Sequence, residues 1–262
     1  MSAPRGRPPK QSAEVRRTIV LEVATRRFAD GGRVGTSLDD IAEEAGVRKP
    51  ALYELFGAKD DLYRTCVEQA VGSLADNFRV VNAATATLPR AESTRARVAA
   101  AVEYAEGRPD AFRLLARAPY SWPDDDPAAG RALRDRLVEV MAANYRRESA
   151  AAGRPIDVGA EVLARLFFVM AEEIVRLCLA EETTDREALV DLLAQFIDAG
   201  IAGVAPSTWR AIECSRAPDS RRNHDRAPDT VGAVLPGFAP PPREHRASAA
   251  GSSLGGGPVE GG

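Results

Sequence analysis

From about residue 13 to residue 204, apolar side chains return every three or four positions, and no stretch shows the period-two alternation of a half-buried strand. The chain is therefore expected to be all-α. Val20, Val23, Ala24 and Phe28 mark the inward face of a first helix, which Gly31-Gly32 should end. A second helix begins within "TSLDDIAEEAG", with Ser37 as N-cap and Asp40 three residues on as an aspartate form of the capping box. Ile41, Ala42 and Ala45 face inward, and Gly46 stops it. Pro50 suits the first turn of a third helix, where its missing N–H costs nothing, and that helix should end near Gly57. Asp60, Asp61 and Leu62 open a long fourth helix along which Leu62, Cys66, Ala70, Leu74 and Phe78 step by four. "WPDDDPAAG" is acidic, but Asp126-Pro127 reads as an N-cap followed by a first helical residue.

The second and third helices, joined by "AGV", form a helix-turn-helix. Gly46 permits the tight bend, and Val47 can plug the angle between the helices. Two later segments carry seams at near-heptad spacing. One runs through Leu163, Leu166 or Phe167, Met170, Ile174 and Leu177, the other through Val190, Leu193, Ile197, Ile201 and Val204. Long helices with such seams pack at shallow angles, either as internal core or as a bundle between two subunits. Tyr104, Phe112, Trp122, Met141 and Tyr145 lie between the fourth helix and these two. They can line a cavity for an apolar ligand or simply fill the core. Glu173 is either an acid in such a pocket or an exposed neighbour of the Glu172/Arg176 pair.

Four zones result: a basic flexible arm over 1–12, a compact three-helix region over 13–57, a larger helical domain over 58–204, and a tail over 205–262. The tail is rich in Pro, Gly and Arg with little apolar periodicity, and is expected to be disordered.

Composition narrows the function. A hydrophobic fraction of 45% and a charged fraction of 28% suit a soluble globular protein, and no apolar run approaches the length that spans a bilayer. "MSAPRGRPPKQ" has no apolar segment after its charges and does not read as a secretory signal. Cys66, Cys178 and Cys214 lack paired spacing and fit a reducing cytoplasm. Net charge is −3, yet between Met1 and Arg33 eight Lys and Arg residues face three acids, an excess of +5 at one end. A localised excess of that kind is how a nucleic-acid contact reads. Both histidines, His224 and His245, lie in the tail, and no phosphate-binding glycine loop or metal-ligand spacing occurs, so no enzyme, cofactor or metal is expected.

The stretch from about Val15 to Tyr63, above all "FADGG" followed by "GTSLDDIAEEAGVRKPALYELFGAKDDLY", resembles the TetR family of bacterial transcriptional regulators. The resemblance covers under a quarter of the chain. It implies an N-terminal helix-turn-helix DNA-binding domain and a larger helical domain for ligand binding and dimerisation. It also implies a homodimer on a palindromic double-stranded operator, with a small-molecule effector. In the family the third helix enters the major groove with its first residues at base edges. Lys49, Pro50 and Ala51 stand in those places, Tyr53 where a hydroxyl meets phosphate, and Lys59 where a cation grips it. Arg48 replaces the usual small cap, which weakens the cap and adds a cation. Ser37 is a phosphate neighbour or an N-cap alone. Glu54 and Leu55 depart from the family pattern and are left off the DNA contacts, while Leu52 and Phe56 should be core. The resemblance further implies a dimer interface from the last two helices, here Leu163, Phe167, Met170, Ile174, Val190, Leu193, Ile197 and Ile201. The expected function is a ligand-responsive repressor; the alternative is an architectural binder of A·T-rich DNA with no effector.

"PRGRP" (Pro4 to Pro8) resembles the AT-hook core, in which Arg5 and Arg7 lie in a narrow minor groove. The other reading is a generally basic tether. Replacing Arg5 and Arg7 by Ala should make the salt dependence of operator binding shallower by about 1.8 under either reading. The minor-groove reading alone expects a larger loss beside A·T-rich flanks than beside G·C-rich flanks, measured as affinity at one salt concentration. Equal losses would leave only the tether.

Overall fold

In the computed structural model, which describes residues 12–121, 127–180 and 185–215, Ser12 opens the first helix by accepting a hydrogen bond from the Val15 backbone N–H at 3.2 Å. Helix α1 spans Ala13–Gly35. Gly32 breaks it with φ 68° and ψ 174°, a conformation that suits glycine, yet a helical turn resumes as far as Gly35. The glycine pair is thus a kink inside the helix rather than its end. Helix α2 is Leu38–Glu44, α3 Lys49–Phe56 and α4 Lys59–Ala84. Ser37 caps α2 by accepting from the Asp39 N–H at 3.0 Å, but Asp40 makes no reciprocal bond among the described residues. The reciprocal half of a capping box appears instead at α4, where Asp61 accepts from the Ala58 N–H at 2.9 Å.

The α2–α3 turn closes as a Schellman motif. Gly46 takes φ 64°, Val47 N–H donates to Ala42 C=O at 2.9 Å, and Gly46 N–H donates to Glu43 C=O at 3.1 Å. Val47 packs beneath it. The helices beyond α4 are α5 (Arg90–Gly107), α6 (Pro109–Ser121), α7 (Pro127–Ala151), α8 (Val158–Leu179), α9 (Arg186–Gly203) and α10 (Pro206–Cys214), giving ten helices among the described residues. Pro127 is the first residue of α7, and Asp126 lies outside the described residues. The protein is all-helical, and no single described helix is long and apolar enough to cross a membrane.

Two cores result. The first joins Val20, Phe28, Ile41, Leu52 and Phe56 of α1–α3 to Leu62, Tyr63 and Val67 of α4 and to Leu114 and Ala118 of α6. It therefore draws on both sides of residue 57, where a domain boundary was expected. Phe28 and Tyr63 meet edge-to-face at 5.1 Å between ring centres. The second gathers Phe78 of α4, Val98 and Val102 of α5, Met141 and Tyr145 of α7, Phe167 of α8 and Val190 of α9.

The chain does not lose order at Val204, as the expected 205–262 tail required, because α10 docks on the start of α8. Asp157 makes no capping bond with its own side chain. Glu213 of α10 caps that end instead: its carboxylate accepts from the N–H groups of Asp157, Val158 and Gly159 at 3.0, 3.1 and 2.9 Å. Trp209 lies so close that a Cβ on Gly159 would stand 2.9 Å from its ring. Glu213→Ala should leave three helix-terminal donors without their acceptor and lower unfolding stability by about 1–2 kcal/mol. Urea denaturation checks this, and an unchanged midpoint would mean that α10 is not docked in solution.

Candidate nucleic-acid interface and cavities

The α3 helix presents two faces of opposite character. Leu52 and Phe56 are buried at 1% and 8% exposure, while Arg48, Lys49, Pro50, Tyr53 and Glu54 are exposed and Ala51 is half-buried. Arg48 stands at the N-cap with extended backbone and no side-chain cap bond, so the first N–H groups of the helix have no capping side chain. Leu55 is half-buried against the first core. Arg17 of α1 braces the far end of α3, donating to Leu55 C=O at 3.0 Å and lying 4.5 Å over the Phe56 ring.

Ser37 is engaged as the α2 cap described above, and its hydroxyl hydrogen is not used by that bond. Lys59 sits at the start of α4, half-buried, with its ammonium donating to Thr36 C=O at 3.3 Å. Lys49 is not a lone cation: its ammonium lies 2.9 Å from the Asp39 carboxylate of α2. That hydrogen bond pushes the Lys49 pKa up, so Lys49 keeps its charge across the neutral range. The basic excess of α1 is also largely used within the fold. Arg26 and Arg27 both pair with Glu44, holding its carboxyl below the ordinary range, and Arg33 pairs with Asp60 at 3.0 Å. Counting charges along the sequence missed these pairs because every partner is ten or more residues away. Arg5 and Arg7 lie outside the described residues.

A cavity of about 340 Å³ lies among α4, α5, α6, α7 and α8. Phe78, Tyr104, Phe112, Leu115, Val138 and Phe168 supply apolar wall, with Arg134, Arg165 and Glu172 also lining it. The Tyr104 hydroxyl is already satisfied, 2.7 Å from Ser73 Oγ and donating to Ala70 C=O at 3.2 Å; burial raises its pKa. Of the five residues expected in a pocket, Tyr104 and Phe112 line this cavity. Met141 is wholly buried in the second core and Tyr145 lines a different cavity, so neither belongs with them. Trp122 lies outside the described residues.

The residues of the expected interface seam pack within the chain's own second core. Phe167, Val190, Leu193 and Ile197 are buried, and Leu163, Met170, Ile174 and Ile201 are half-buried, all packed within the second core. The apolar side chains left exposed are Leu166 and Val169 of α8, at 51% and 69%, and Leu192 and Phe196 of α9, at 62% and 65%, with Val162 and Leu177 beside them. Both helices are apolar around more than half their circumference, so near-heptad counting selects one stripe without saying which way it faces. Glu173 is exposed and pairs with Arg176 at 3.3 Å.

Residues 20–66, from α1 into α4, match the model of the bacterial regulatory proteins of the tetR family. These residues form a DNA-binding region of the TetR family. Over 100 residues it is 33% identical to the HTH-type transcriptional activator FasR of Mycolicibacterium smegmatis, covering 38% of this chain and 45% of that protein. It thus spans less than half the length of the curated relatives it matches. A TetR-like regulator from Rhodococcus sp. RHA1 superimposes with a TM-score of 0.59 at 23% identity, covering 74% of this chain and all of that one. AibR, solved in complex with isovaleryl coenzyme A and operator DNA, gives a TM-score of 0.54 at 20% identity, over 69% of this chain and 97% of that one. These two structures share the fold.

For a TetR-family DNA-binding region, the exposed face of α3 is expected to separate two kinds of contact. Lys49→Ala should relax preference for guanine at one operator position and cost about 1–3 kcal/mol on the best site. Tyr53→Phe should weaken binding to all sequences alike, by about 0.5–1.5 kcal/mol for one lost hydrogen bond to phosphate. Affinity measured across a set of operator variants distinguishes the two, and an exchange of these signatures would reverse the assignments.

Proposed function

We propose that this TetR-family DNA-binding transcriptional regulator acts in the cytoplasm as a homodimer. In this reading it represses from a palindromic operator and leaves it when a small molecule fills the central cavity. The observation that carries the reading is that the cavity shares two helices with the DNA-binding core. Phe78 of α4 and Phe112 and Leu115 of α6 line the cavity, while Leu62 and Tyr63 of α4 and Leu114 and Ala118 of α6 belong to the first core. An occupant that displaces the cavity wall must move helices on which α1 rests. Only a difference in affinity between the two arrangements makes this a switch; tight binding alone does not.

Arg48, Lys49, Pro50, Ala51 and Tyr53 serve as the recognition face, with Lys59 and Ser37 at its phosphate edge. The exposed stripe of α8 and α9 serves as the dimer face, since two copies meeting there would place two recognition helices on one two-fold operator. The effector is best matched by an apolar body with an anionic group, because the cavity is apolar and Arg134 lines it, whereas Arg165 is paired with Asp135 at 3.0 Å and Glu172 with Arg176. AibR, which has the same fold, was solved with isovaleryl coenzyme A. An apolar cavity tied to the DNA-binding core weighs against a purely architectural A·T-rich binder, which has no use for one.

Selection of genomic fragments by the purified protein, followed by release of the enriched DNA with short-chain acyl thioesters, tests the whole reading. Broad coating of A·T-rich DNA without release would favour the architectural alternative. The dimer face has its own test. Leu166→Asp combined with Phe196→Asp should yield a folded monomer by light scattering, with operator affinity reduced by more than about tenfold through lost bivalency. A dimer that survives both charges would move the interface elsewhere.

A further inference from the structure

A second cavity, of about 390 Å³, lies where the end of α7, the start of α8 and the end of α9 meet α10. It shares no lining residue with the central cavity. Ile156, Leu163 and Ile201 and the rings of Tyr145 and Trp209 make its surface largely apolar, and its size suits one small ligand.

The charges around it decide what that ligand is. Arg90 is committed to Asp198 at 2.6 Å. The Glu213 carboxylate is occupied by the three N–H groups at the start of α8. Glu148 Oε1 accepts from Arg97 and from Asn144, each at 2.8 Å. Its other oxygen and the Tyr145 hydroxyl are sealed from the cavity surface, so neither can meet an occupant directly. Two charged groups remain at the edge. Arg154 and Arg210 line the cavity, are exposed, and have no ion-pair partner among the described residues. An apolar surface flanked by two uncommitted guanidinium groups suits a body that is apolar and carries a negative charge, since guanidinium binds carboxylate in a bidentate, charge-assisted way. A cationic ligand would meet those arginines with no available carboxylate to offset them.

We propose that this cavity is a second ligand site, for a small aromatic or short aliphatic carboxylate held by Arg154 and Arg210 over an apolar bed that includes Trp209 and Ile156. The site goes beyond the central effector cavity and does not depend on it. Because α10 forms one wall, an occupant also fastens α10 to the start of α8.

The test is calorimetric titration of the full chain with naphthalene-2-carboxylate, with the neutral naphthalene-2-carboxamide and the cationic naphthalen-2-ylmethylamine as comparisons. Two variants assign the site. Arg154→Ala with Arg210→Ala removes only exposed side chains and should leave the fold intact, while Ala116→Trp obstructs the central cavity. The carboxylate is expected to bind at least about tenfold more tightly than either comparison, to weaken by about tenfold or more in the double arginine variant, and to persist in Ala116→Trp. Emission of Trp209 in a Trp122→Phe background should change on saturation. Any one of three results overturns the proposal: no saturable binding at millimolar concentration, equal or better binding of the amide or amine, or binding lost in Ala116→Trp and kept in the arginine variant.

Discussion

An eight-residue helix cannot sustain itself in water, because nucleating a helix costs more than so few hydrogen bonds return. Helix α3, which carries the proposed recognition face, is such a segment, and its existence rests on burying Leu52 and Phe56. Each contributes about 1.5–3 kcal/mol by leaving water, and both depend on α1 and α4 being in place to receive them. Arg17, stacked over Phe56 and bonded to Leu55 C=O, closes the last exposed edge. The division of labour follows from this constraint. Two inward residues hold α3, which leaves Arg48, Lys49, Pro50 and Tyr53 facing outward without any duty to stability. A surface released from packing in this way is one whose side chains can be chosen for what they touch.

The helices that receive α3 also line the central cavity. Helix α4 gives its first turns to the α3 core and Phe78 to the second core, while α6 turns Leu114 toward α1 and Phe112 toward the cavity. Packed interiors do not deform smoothly, so a cavity that changes shape shifts whole helices. In the proposed switch, a wall built from helices that are themselves the support of α3 needs no further relay. The ion pairs at the surface of this region, Arg33 with Asp60 and Lys49 with Asp39, add little to stability but link α1 to α4 and α3 to α2.

What the sequence disclosed was whatever local chemistry determines. Ser37 as a cap, Gly46 in a left-handed turn, Pro50 in a first turn and Leu52 with Phe56 as core each follow from a few neighbouring residues, and the α2–α3 unit was legible for that reason. The misreadings share the opposite property. Near-heptad counting found the apolar stripes of α8 and α9 but selected Phe167 and Ile197, which are buried, because the neighbouring stripe through Leu166 and Phe196 is almost as apolar. Met141 was placed with Tyr104 by residue type, whereas only three-dimensional packing puts one in the core and the other on a cavity wall. Helix α10 was hidden because its stabilising partners, Gly159 and the bare start of α8, lie some fifty residues upstream.

Beside the cavity under α10 runs a polar brace that includes two of its lining residues, Tyr145 and Glu148. Arg97 is fully buried, donating to Ser93 Oγ, Thr94 Oγ1 and Glu148 Oε1 at 2.9, 3.0 and 2.8 Å, with its guanidinium 5.6 Å from the centre of the Tyr145 ring. A buried pair of this kind is weak evidence for stability, since desolvation consumes most of its attraction, but its geometry tolerates only one register of α5 against α7. Sliding either helix by a turn would strand a charge. The brace therefore fixes α5 against α7, and Glu148 sits in it while also lining the cavity under α10. The end of α4 is tied into the same network, since Ser93 Oγ donates to Thr85 Oγ1 at 3.1 Å and Asn82 Nδ2 donates to Val140 C=O of α7 at 3.3 Å, so α4 is held at one end by α5 and α7 while its first turns support α3.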